Sequence, residues 1–350
     1  MDERIALIAL SRLRGINNIL KKDIIERFDT IAPLFEKKTK IFDDGTRSIT
    51  ASFKGWKKIE SDLKLLDSMG ASIITIRDKE YPQLLKKIPD APVVLYKKGP
   101  LGMGIDTLAI VGSRKATFEG MNLAEKIGET LSSVGITIVS GLARGIDSSA
   151  HRGAIKEKAG TIAVLGCGID VCYPAENKRL YEKIGEKGLL LTEYAPEEEP
   201  FAYHFPERNR IIAGLSKGVL VIEASKKSGS LITARLGLEY GREVMAVPGS
   251  VFREEYQGAN ALIKQGAKLV DNIDDIVTTC FPGYELKRKE PVKIDHEEKR
   301  VFSVIGFEKV HIDEIIEKSG MAAKQVMAIL TRLEMKEIIR EVPGGFYIRK

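Results

Sequence analysis

Six short runs of aliphatic and β-branched residues recur between residues 108 and 247, and segments with helical periodicity separate them. The runs are Leu108 to Val111, Ile136 to Val139, Thr161 to Leu165, Leu189 to Leu191, Val219 to Ile222 and Val244 to Val247. This alternation is typical of βαβ units, in which parallel strands are buried on both faces of a sheet. The sequence therefore predicts an α/β fold with one doubly wound, mostly parallel sheet, which we place at residues 99–282.

Two further segments precede the predicted sheet domain. Residues 1–65 carry apolar stripes at helical spacing on both sides of a turn at Gly15, which predicts a small helical module of the sterile alpha motif or helix-hairpin-helix type. Such a turn can hold a nucleic-acid backbone, but plain helix packing or a protein contact gives the same pattern. Residues 66–98 hold two β-like runs, Ala71 to Ile76 and Val93 to Tyr96, and are interpreted as an ordered connector that packs on the core.

The chain after the sheet domain is predicted to contain a linker and a second folded unit. Residues 283–296 are mixed in charge and poor in apolar side chains, so they cannot bury enough surface to fold alone. Residues 297–350 show the order helix, short strand, helix, turn, helix and hairpin, which is typical of a winged helix. The polar face of its last helix carries few basic residues, so both duplex binding and a scaffolding or regulatory role through protein contacts stay open.

Composition excludes several classes of protein. Hydrophobic residues make up 43% of the chain and charged residues 30%, an ordinary globular balance, and no apolar run reaches the roughly 18 residues of a membrane-spanning helix. The cysteines, Cys167, Cys172 and Cys280, form no CxxC pair, which argues against a disulfide framework and a zinc site. The first residues lack the features of a secretory signal, so we expect a cytoplasmic protein. A net charge of +6 favours a polyanionic partner only weakly.

Glycine, serine and basic residues are concentrated directly after four of the predicted strands. Ligands of open parallel sheets bind beyond the carboxyl ends of the strands, and turn amides and helix N-termini attract phosphate there. The residues of these loops that we expect to hold an anion are Ser113, Arg114, Lys115, Gly141, Arg144, Lys227, Ser228, Gly229 and Ser230. Taken singly, each could serve a tight turn, a helix cap or a solvated surface. The repetition of such loops at four strand ends, of which the remaining one is Gly166-Cys167-Gly168 after the run Thr161 to Leu165, predicts an anionic ligand.

The segment from Phe205 to Ser216 places an aromatic ring next to two guanidinium groups at a helix start. A base can stack on such a ring while Arg208 or Arg210 pairs with a phosphate. The alternative, which the residues alone leave equally open, is that Phe205 packs as a hydrophobic staple and one of the arginines bridges an acidic side chain.

Motifs for nucleotide hydrolysis, redox cofactors and metals are missing from the sequence. There is no GxxxxGK[ST], no complete GxGxxG, and no metal-ligand spacing among the histidines and cysteines. We therefore expect a protein that binds rather than cuts, and we assign no catalytic residue, no cofactor and no metal. The main rival is a nucleotide or phosphoribosyl hydrolase that uses the same strand-end pocket with Glu193 or Glu223 as its carboxylate, although the PGGxGT-type loop of such enzymes is absent.

Several ordered motifs resemble those of the DNA-processing protein A family, also called DprA or Smf. They are VGSRKATFEG, IVSGLARGIDSSAHRGAI, TIAVLGCGIDVCYPAENKRLY, FPERNRIIAGLS, IEASKKSGSLITARLGLEYGREVMAVPGS and QGANALIKQGAKLV. The resemblance covers about residues 70 to 280 and extends more loosely to both ends of the chain.

The resemblance implies an extended Rossmann-like domain in a bacterial cytoplasmic protein that binds single-stranded DNA without cleaving it. It also implies a homodimer that loads the RecA recombinase onto incoming single strands and protects DNA during natural transformation, with general recombination or defence as other roles. By matched position, the DNA-binding residues of the family fall on Ser113, Arg114, Gly141, Arg144, Phe205, Arg208, Asn209, Arg210, Ser228, Gly229 and Ser230.

Overall fold

A nine-stranded sheet forms the centre of the larger unit in the computed structural model, which describes residues 1–13, 15–35, 50, 53–103, 106–286, 293–306 and 308–349. These residues cluster into two units, Met1–Leu286 and Lys287–Lys350. The strands of the large sheet are β1 (Ser72–Thr75), β2 (Val94–Lys98), β3 (Thr107–Gly112), β4 (Thr137–Ser140), β5 (Thr161–Val164), β6 (Leu189–Thr192), β7 (Gly218–Ile222), β8 (Glu243–Ala246) and β9 (Lys268–Leu269).

The sheet is wound outwards in two directions from its centre. Its strand order is β1-β2-β6-β5-β4-β3-β7-β8-β9, and all neighbours from β6 to β9 pair in parallel. The chain leaves β3 towards β4 in one direction and later returns to β7 on the other side of β3. This is the topological switch point of an open sheet, where a crevice forms beyond the carboxyl ends of the strands.

Helices of the larger unit pack against both faces of the sheet. They are α1 (Glu3–Ser11), α2 (Asn18–Arg27), α3 (Trp56–Ser68), α4 (Gln83–Lys86), α5 (Phe118–Ser133), α6 (Ile146–Ala154), α7 (Lys178–Lys187), α8 (His204–Leu215), α9 (Ser230–Glu239), α10 (Gln257–Lys264) and α11 (Ile273–Cys280). Successive side chains of β3 enter two different cores: Leu108 and Ile110 lie with α5 and α6, whereas Ala109 and Val111 lie with α8 and the N-terminal helices. The predicted doubly wound, mostly parallel α/β fold is confirmed.

The predicted connector supplies strands to the sheet. Its two β-like runs are β1 and β2, and β2 pairs antiparallel with both β1 and β6. Val94, Leu95 and Tyr96 are at most 1% exposed, and they belong to one hydrophobic core together with residues of the N-terminal helices. Residues 66–98 therefore extend the sheet at one edge.

Helices α5 and α6 are in close contact through small residues. A Cβ added to Gly153 would lie 1.9 Å from the backbone oxygen of Glu125, and one added to Gly128 would lie 2.5 Å from that of Ala150. The two helices can approach this closely only because both positions lack a side chain. Their contact fixes α6, whose N-terminal end follows the loop after β4.

The N-terminal helices are attached to the larger unit by polar contacts as well as apolar ones. Asn18 of α2 donates to Glu193, which directly follows β6, over 3.4 Å, and Lys22 donates to the backbone oxygen of Ile88 over 2.8 Å. Lys21 is buried, and burial lowers its pKa to about 8. Residues 36–49 of the predicted helical module lie outside the described residues.

The larger unit extends into the segment predicted as a linker. The Tyr284 hydroxyl donates to Asp106 over 2.8 Å, and its ring lies edge-on to Phe281 at 6.0 Å between centroids. Residues up to Leu286 therefore belong to this unit. Residues 287–292 of the predicted linker lie outside the described residues.

The second unit has three helices and a three-stranded sheet among its described residues. They are α12 (His296–Val304), β10 (Val310–His311), α13 (Ile312–Ser319), α14 (Ala323–Met335), β11 (Ile339–Val342) and β12 (Phe346–Arg349). The strand order is β10-β12-β11, and the core contains Val301, Ile315, Ile329 and Leu333. This is the element order predicted for a winged helix. None of the helices among the described residues of the chain is long and apolar enough to cross a membrane.

Candidate nucleic-acid interface

A cavity of about 600 Å³ lies at the switch point, beyond the carboxyl ends of β3, β4 and β7. Eight of the residues expected from the sequence line it: Ser113, Arg114, Lys115, Arg208, Asn209, Ser228, Gly229 and Ser230. They come from the segments after β3 and β7 and from α8, which the winding of the sheet brings to one place. The carboxylates of Asp147, Glu254 and Glu255 complete the charged part of the lining.

A smaller depression of about 40 Å³ adjoins this cavity and shares Arg114 and Arg208 with it. Its lining also includes the expected residues Gly141, Arg144 and Phe205, together with Tyr173 and Pro174. Two guanidinium groups therefore lie between a cavity rich in hydroxyl groups and a depression with aromatic walls. We call the two together the strand-end site.

Arg208 is the most deeply placed cation of the strand-end site. It is 3% exposed and donates to the backbone oxygen of Val164 in β5, and its Nε has no hydrogen-bond partner among the described residues. A Cβ added to Gly141 would lie 2.2 Å from the Arg208 guanidinium, so the glycine is needed for the arginine to fit. Burial lowers the pKa of Arg208, and the nearby Asp147 carboxylate acts against that shift.

In the loop after β4, the buried side chains of Asp147, His151 and Asn177 hold the backbone at Gly141 and Leu142. Leu142 has a φ of +55°, a conformation that non-glycine residues rarely adopt. Its N–H donates to His151 Nε2 over 3.2 Å, and its carbonyl accepts from Asn177 over 2.9 Å. The Gly141 N–H donates to Asp147 over 3.0 Å. The loop backbone is therefore fixed before any ligand arrives.

His151 holds this loop as a neutral imidazole. Because Nε2 accepts from Leu142, the ring proton is on Nδ1, which lies 2.7 Å from the Thr161 hydroxyl. Burial, together with the positive charges of Arg208 and Arg152, lowers the pKa of His151 to about 3. No residue spacing in the sequence predicts this role, since His151 acts on a residue nine positions earlier through the geometry of the turn into α6.

The two carboxylates of the rival hydrolase are engaged in structural contacts. Glu223 is fully buried and accepts from the Thr117 N–H over 2.7 Å, from the Thr117 hydroxyl, and from the Tyr256 hydroxyl over 3.0 Å. Glu193 accepts from Arg210 and Asn18. Both are absent from the lining of the strand-end site.

Arg210 and Lys227 do not line the strand-end site. Arg210 is buried on the other side of α8, where it donates to Glu193 and its Nε lies 3.5 Å from an oxygen of Asp90. This is the acid-bridging alternative that the sequence left open for one of the two arginines. Lys227 is exposed in the loop after β7. Arg144 lines the smaller depression but is paired with Glu176, and both side chains are more than half exposed.

An aromatic pair forms one wall of the smaller depression. The rings of Phe205 and Tyr173 are 5.2 Å apart with an interplanar angle of 31°, and the Arg114 guanidinium lies 5.4 Å from the centre of the Phe205 ring. Phe205 also packs against Gly166, where an added Cβ would approach the ring to 2.9 Å. Tyr173 was not among the residues expected from the sequence, although an aromatic residue in the segment after β5 could have indicated a stacking surface.

Metal and thiol chemistry find little support in the parts of the chain that the structure describes. No group of three or more His, Cys, Asp or Glu side chains is arranged there to hold a metal ion. Burial raises the pKa of the Cys167 thiol to about 12, even with Arg208 nearby, so this cysteine is protonated at neutral pH.

Comparison with protein families assigns the sheet domain. The model of the family described as DNA recombination-mediator protein A matches residues 72–281. The chain belongs to this family. The resemblance carried by the sequence motifs is thereby confirmed, and a model of the DprA winged helix domain also matches residues 287–345.

Known relatives and solved structures agree with this assignment. Protein Smf of Escherichia coli is 38% identical over 301 residues, which cover 83% of this chain and 80% of that protein. The solved structure of DNA processing protein A from Streptococcus pneumoniae has a TM-score of 0.66 and 37% identity, covering 82% of this chain and 99% of that one. The solved structure of DNA processing protein A from Helicobacter pylori is described for its unique single-stranded DNA binding mode. It has a TM-score of 0.56 and 29% identity, and the match covers 61% of this chain and 97% of that one.

Proposed function

We propose that this protein binds single-stranded DNA at the strand-end site. The observation that carries the proposal is the position of Arg114 and Arg208, which are shared by a hydroxyl-lined cavity and a depression with an aromatic wall. Guanidinium groups and loop amides fit the phosphates of a nucleic-acid backbone, and aromatic rings fit its bases. The single-stranded DNA binding described for the Helicobacter pylori protein supports the same conclusion.

The site favours single strands over duplexes for a physical reason. A ring can stack only on a base whose face is free, and the bases of a duplex are already stacked on each other. The phosphate contacts carry no sequence information, and stacking is tolerant of base identity. We therefore expect little sequence preference.

The arrangement supports binding without cleavage. The carboxylates that a hydrolase would use, Glu193 and Glu223, are held by other side chains away from the cavity. Asp147 does line the cavity, but it is buried next to Arg208 and accepts from the Gly141 backbone. Each of these carboxylates maintains a loop or a helix that shapes the site.

Membership of the family extends the proposal to a role in recombination. We infer that the protein is a recombination mediator that protects single strands and loads RecA onto them, as in natural transformation, and that it acts as a homodimer. This part of the proposal rests on the family and on no particular residue of this chain.

The test is fluorescence anisotropy with a labelled thymidine oligonucleotide and a duplex of equal length. We expect tight binding to the single strand only, and a loss of at least about 1 kcal/mol in Arg114→Ala, the scale of one charged contact. If about four phosphates are neutralised, affinity should fall about fifty-fold between 50 and 200 mM salt.

Arg152→Ala is the matched control for charge removal. Arg152 is also an exposed arginine, but it lies at the far end of α6 from the strand-end site and donates to Ser149. Its loss should leave affinity unchanged. Equal binding of both oligonucleotides, a flat salt response, or equal losses in the two variants would contradict the proposed site, and hydrolysis of free nucleotides would then be the next assay.

A further inference from the structure

We propose that the ring on which a DNA base stacks is Tyr173, and that Phe205 is a positioning residue that holds Tyr173 and Arg114 in place. The proposal rests on the proposed function, because it names the base contact of the same site. Phe205 is the aromatic residue that the FPERNR motif draws attention to, whereas the geometry favours its neighbour.

The surroundings of Phe205 leave little room for a base. The ring packs against Gly166, has Tyr173 at 5.2 Å, and has the Arg114 guanidinium at 5.4 Å. A base that reached this ring would have to displace either the tyrosine or the arginine. Displacing the arginine would also remove a cation from the phosphate contacts.

Tyr173 offers the surface that Phe205 lacks. Its side chain is 43% exposed and lines the smaller depression, with one side of the ring supported by Phe205. No described residue hydrogen-bonds its hydroxyl group, and the proposal assigns the base contact to the ring. The adjacent Pro174 is buried and its carbonyl accepts from the Asn177 N–H over 3.0 Å, which fixes the backbone that carries the ring.

Cations of the same depression suit the phosphates on either side of a base stacked on Tyr173. Arg114 and Arg144 both line the depression with Tyr173. Arg144 is paired with Glu176, but both groups are exposed, and exposed pairs contribute little stability, so the guanidinium can exchange the carboxylate for a phosphate. The ligand at this position is thus one nucleotide with its two flanking phosphates, without selection of the base.

The test compares a thymidine oligonucleotide with one of equal length in which tetrahydrofuran abasic units replace the bases. Tyr173→Ala should weaken binding of the thymidine oligonucleotide at least about five-fold, the lower end of one base–aromatic contact, and Tyr173→Phe should restore it. On the abasic strand, Tyr173→Ala should bind like the wild type, because no base is present to lose.

Phe205→Leu distinguishes the two roles. It keeps an apolar side chain against Gly166 but removes the support of Tyr173 and Arg114, so it should weaken binding of both strands. If the Phe205→Leu loss vanishes on the abasic strand while Tyr173→Ala has no effect on either, the assignment is reversed and the proposal fails. The proposal also fails if Tyr173→Ala weakens binding of both strands equally.

Tyr203→Ala is the matched aromatic control. Tyr203 is 60% exposed just before α8 and outside the lining of the depression, so its removal should leave both affinities unchanged. A loss as large as that of Tyr173→Ala on the thymidine strand would move the stacking surface to the start of α8 and overturn the proposal. Absence of wild-type binding to any single strand would instead refute the proposed function itself.

Discussion

Arg208 and Arg210 lie two positions apart on α8 and therefore face different surroundings, since residues two apart on a helix point to nearly opposite sides. Arg208 reaches the strand-end site, and Arg210 reaches Glu193 and Asp90. The sequence places both next to Phe205 and offers no means of separating an arginine that lines the strand-end site from one that bridges acidic side chains. The separation depends on the direction of α8 relative to the sheet, which is a property of the fold.

Removal of the Arg210 guanidinium should destabilise the protein and leave its affinity for DNA intact. Arg210→Met leaves Glu193, whose side chain is 14% exposed, without its main cationic partner. Breaking a buried pair in this way costs about 3 kcal/mol. Urea denaturation followed by the fluorescence of Trp56, the single tryptophan, measures the loss, and anisotropy below the unfolding transition measures the affinity. Weaker DNA binding by the folded variant would show that Arg210 contributes to binding after all.

His151 should make the stability of the larger unit sensitive to mild acid. Its pKa is lowered from 6.5 to about 3 in the folded protein, so unfolding takes up a proton as the pH falls below 6.5. The stability is therefore present above that pH and is lost on acidification. Between pH 7 and pH 5, the unfolding free energy of the wild type should fall about 2 kcal/mol more than that of His151→Gln.

The control for this pH response is His296→Gln. His296 is exposed, so replacing it should leave the slope of unfolding free energy against pH as in the wild type. Parallel pH profiles of the wild type and His151→Gln, recorded with Trp56 fluorescence, would show that His151 does not carry the response.

Elements were predictable where periodicity is strong. All six predicted runs are strands, displaced by no more than a residue or two, because parallel strands must be apolar on both faces and so appear as continuous aliphatic runs. The pairing of β2 with β6 was not predictable, since an antiparallel edge strand has no local signature of its partner. The proposed role of Tyr173 was not predictable for a similar reason, because it depends on contact with the Phe205 ring, which is more than thirty residues away along the chain.

The close contact between α5 and α6 should make the protein sensitive to a single added methyl group. Gly153→Ala places a carbon 1.9 Å from the Glu125 backbone oxygen, and backbone cannot rotate away as a side chain can. The helices must separate, which should lower the unfolding free energy by about 2 kcal/mol, the middle of the range for overpacking. Gly283→Ala, where an added Cβ meets nothing within 4 Å, should have no such effect in the same urea experiment.

At the scale of the whole molecule, binding of single strands should not require the winged helix. The strand-end site is built from residues of Met1–Leu286, which form a unit with its own cores. Deletion of residues 295–350 should therefore leave the affinity for the thymidine oligonucleotide within about two-fold of the full chain. If the deletion abolishes binding while Arg114→Ala leaves it unchanged, the binding function lies in the second unit, and this result would support the scaffolding alternative.

The attachment of the N-terminal helices beside α8 limits which segments can be exchanged between relatives. Glu193 accepts from Arg210 of α8 and from Asn18 of α2. A chimera that receives the first 65 residues of another family member must therefore bring a donor for Glu193 as well as a matching apolar surface. The helix that carries Phe205 and Arg208 therefore limits how far the N-terminal helices can diverge between relatives.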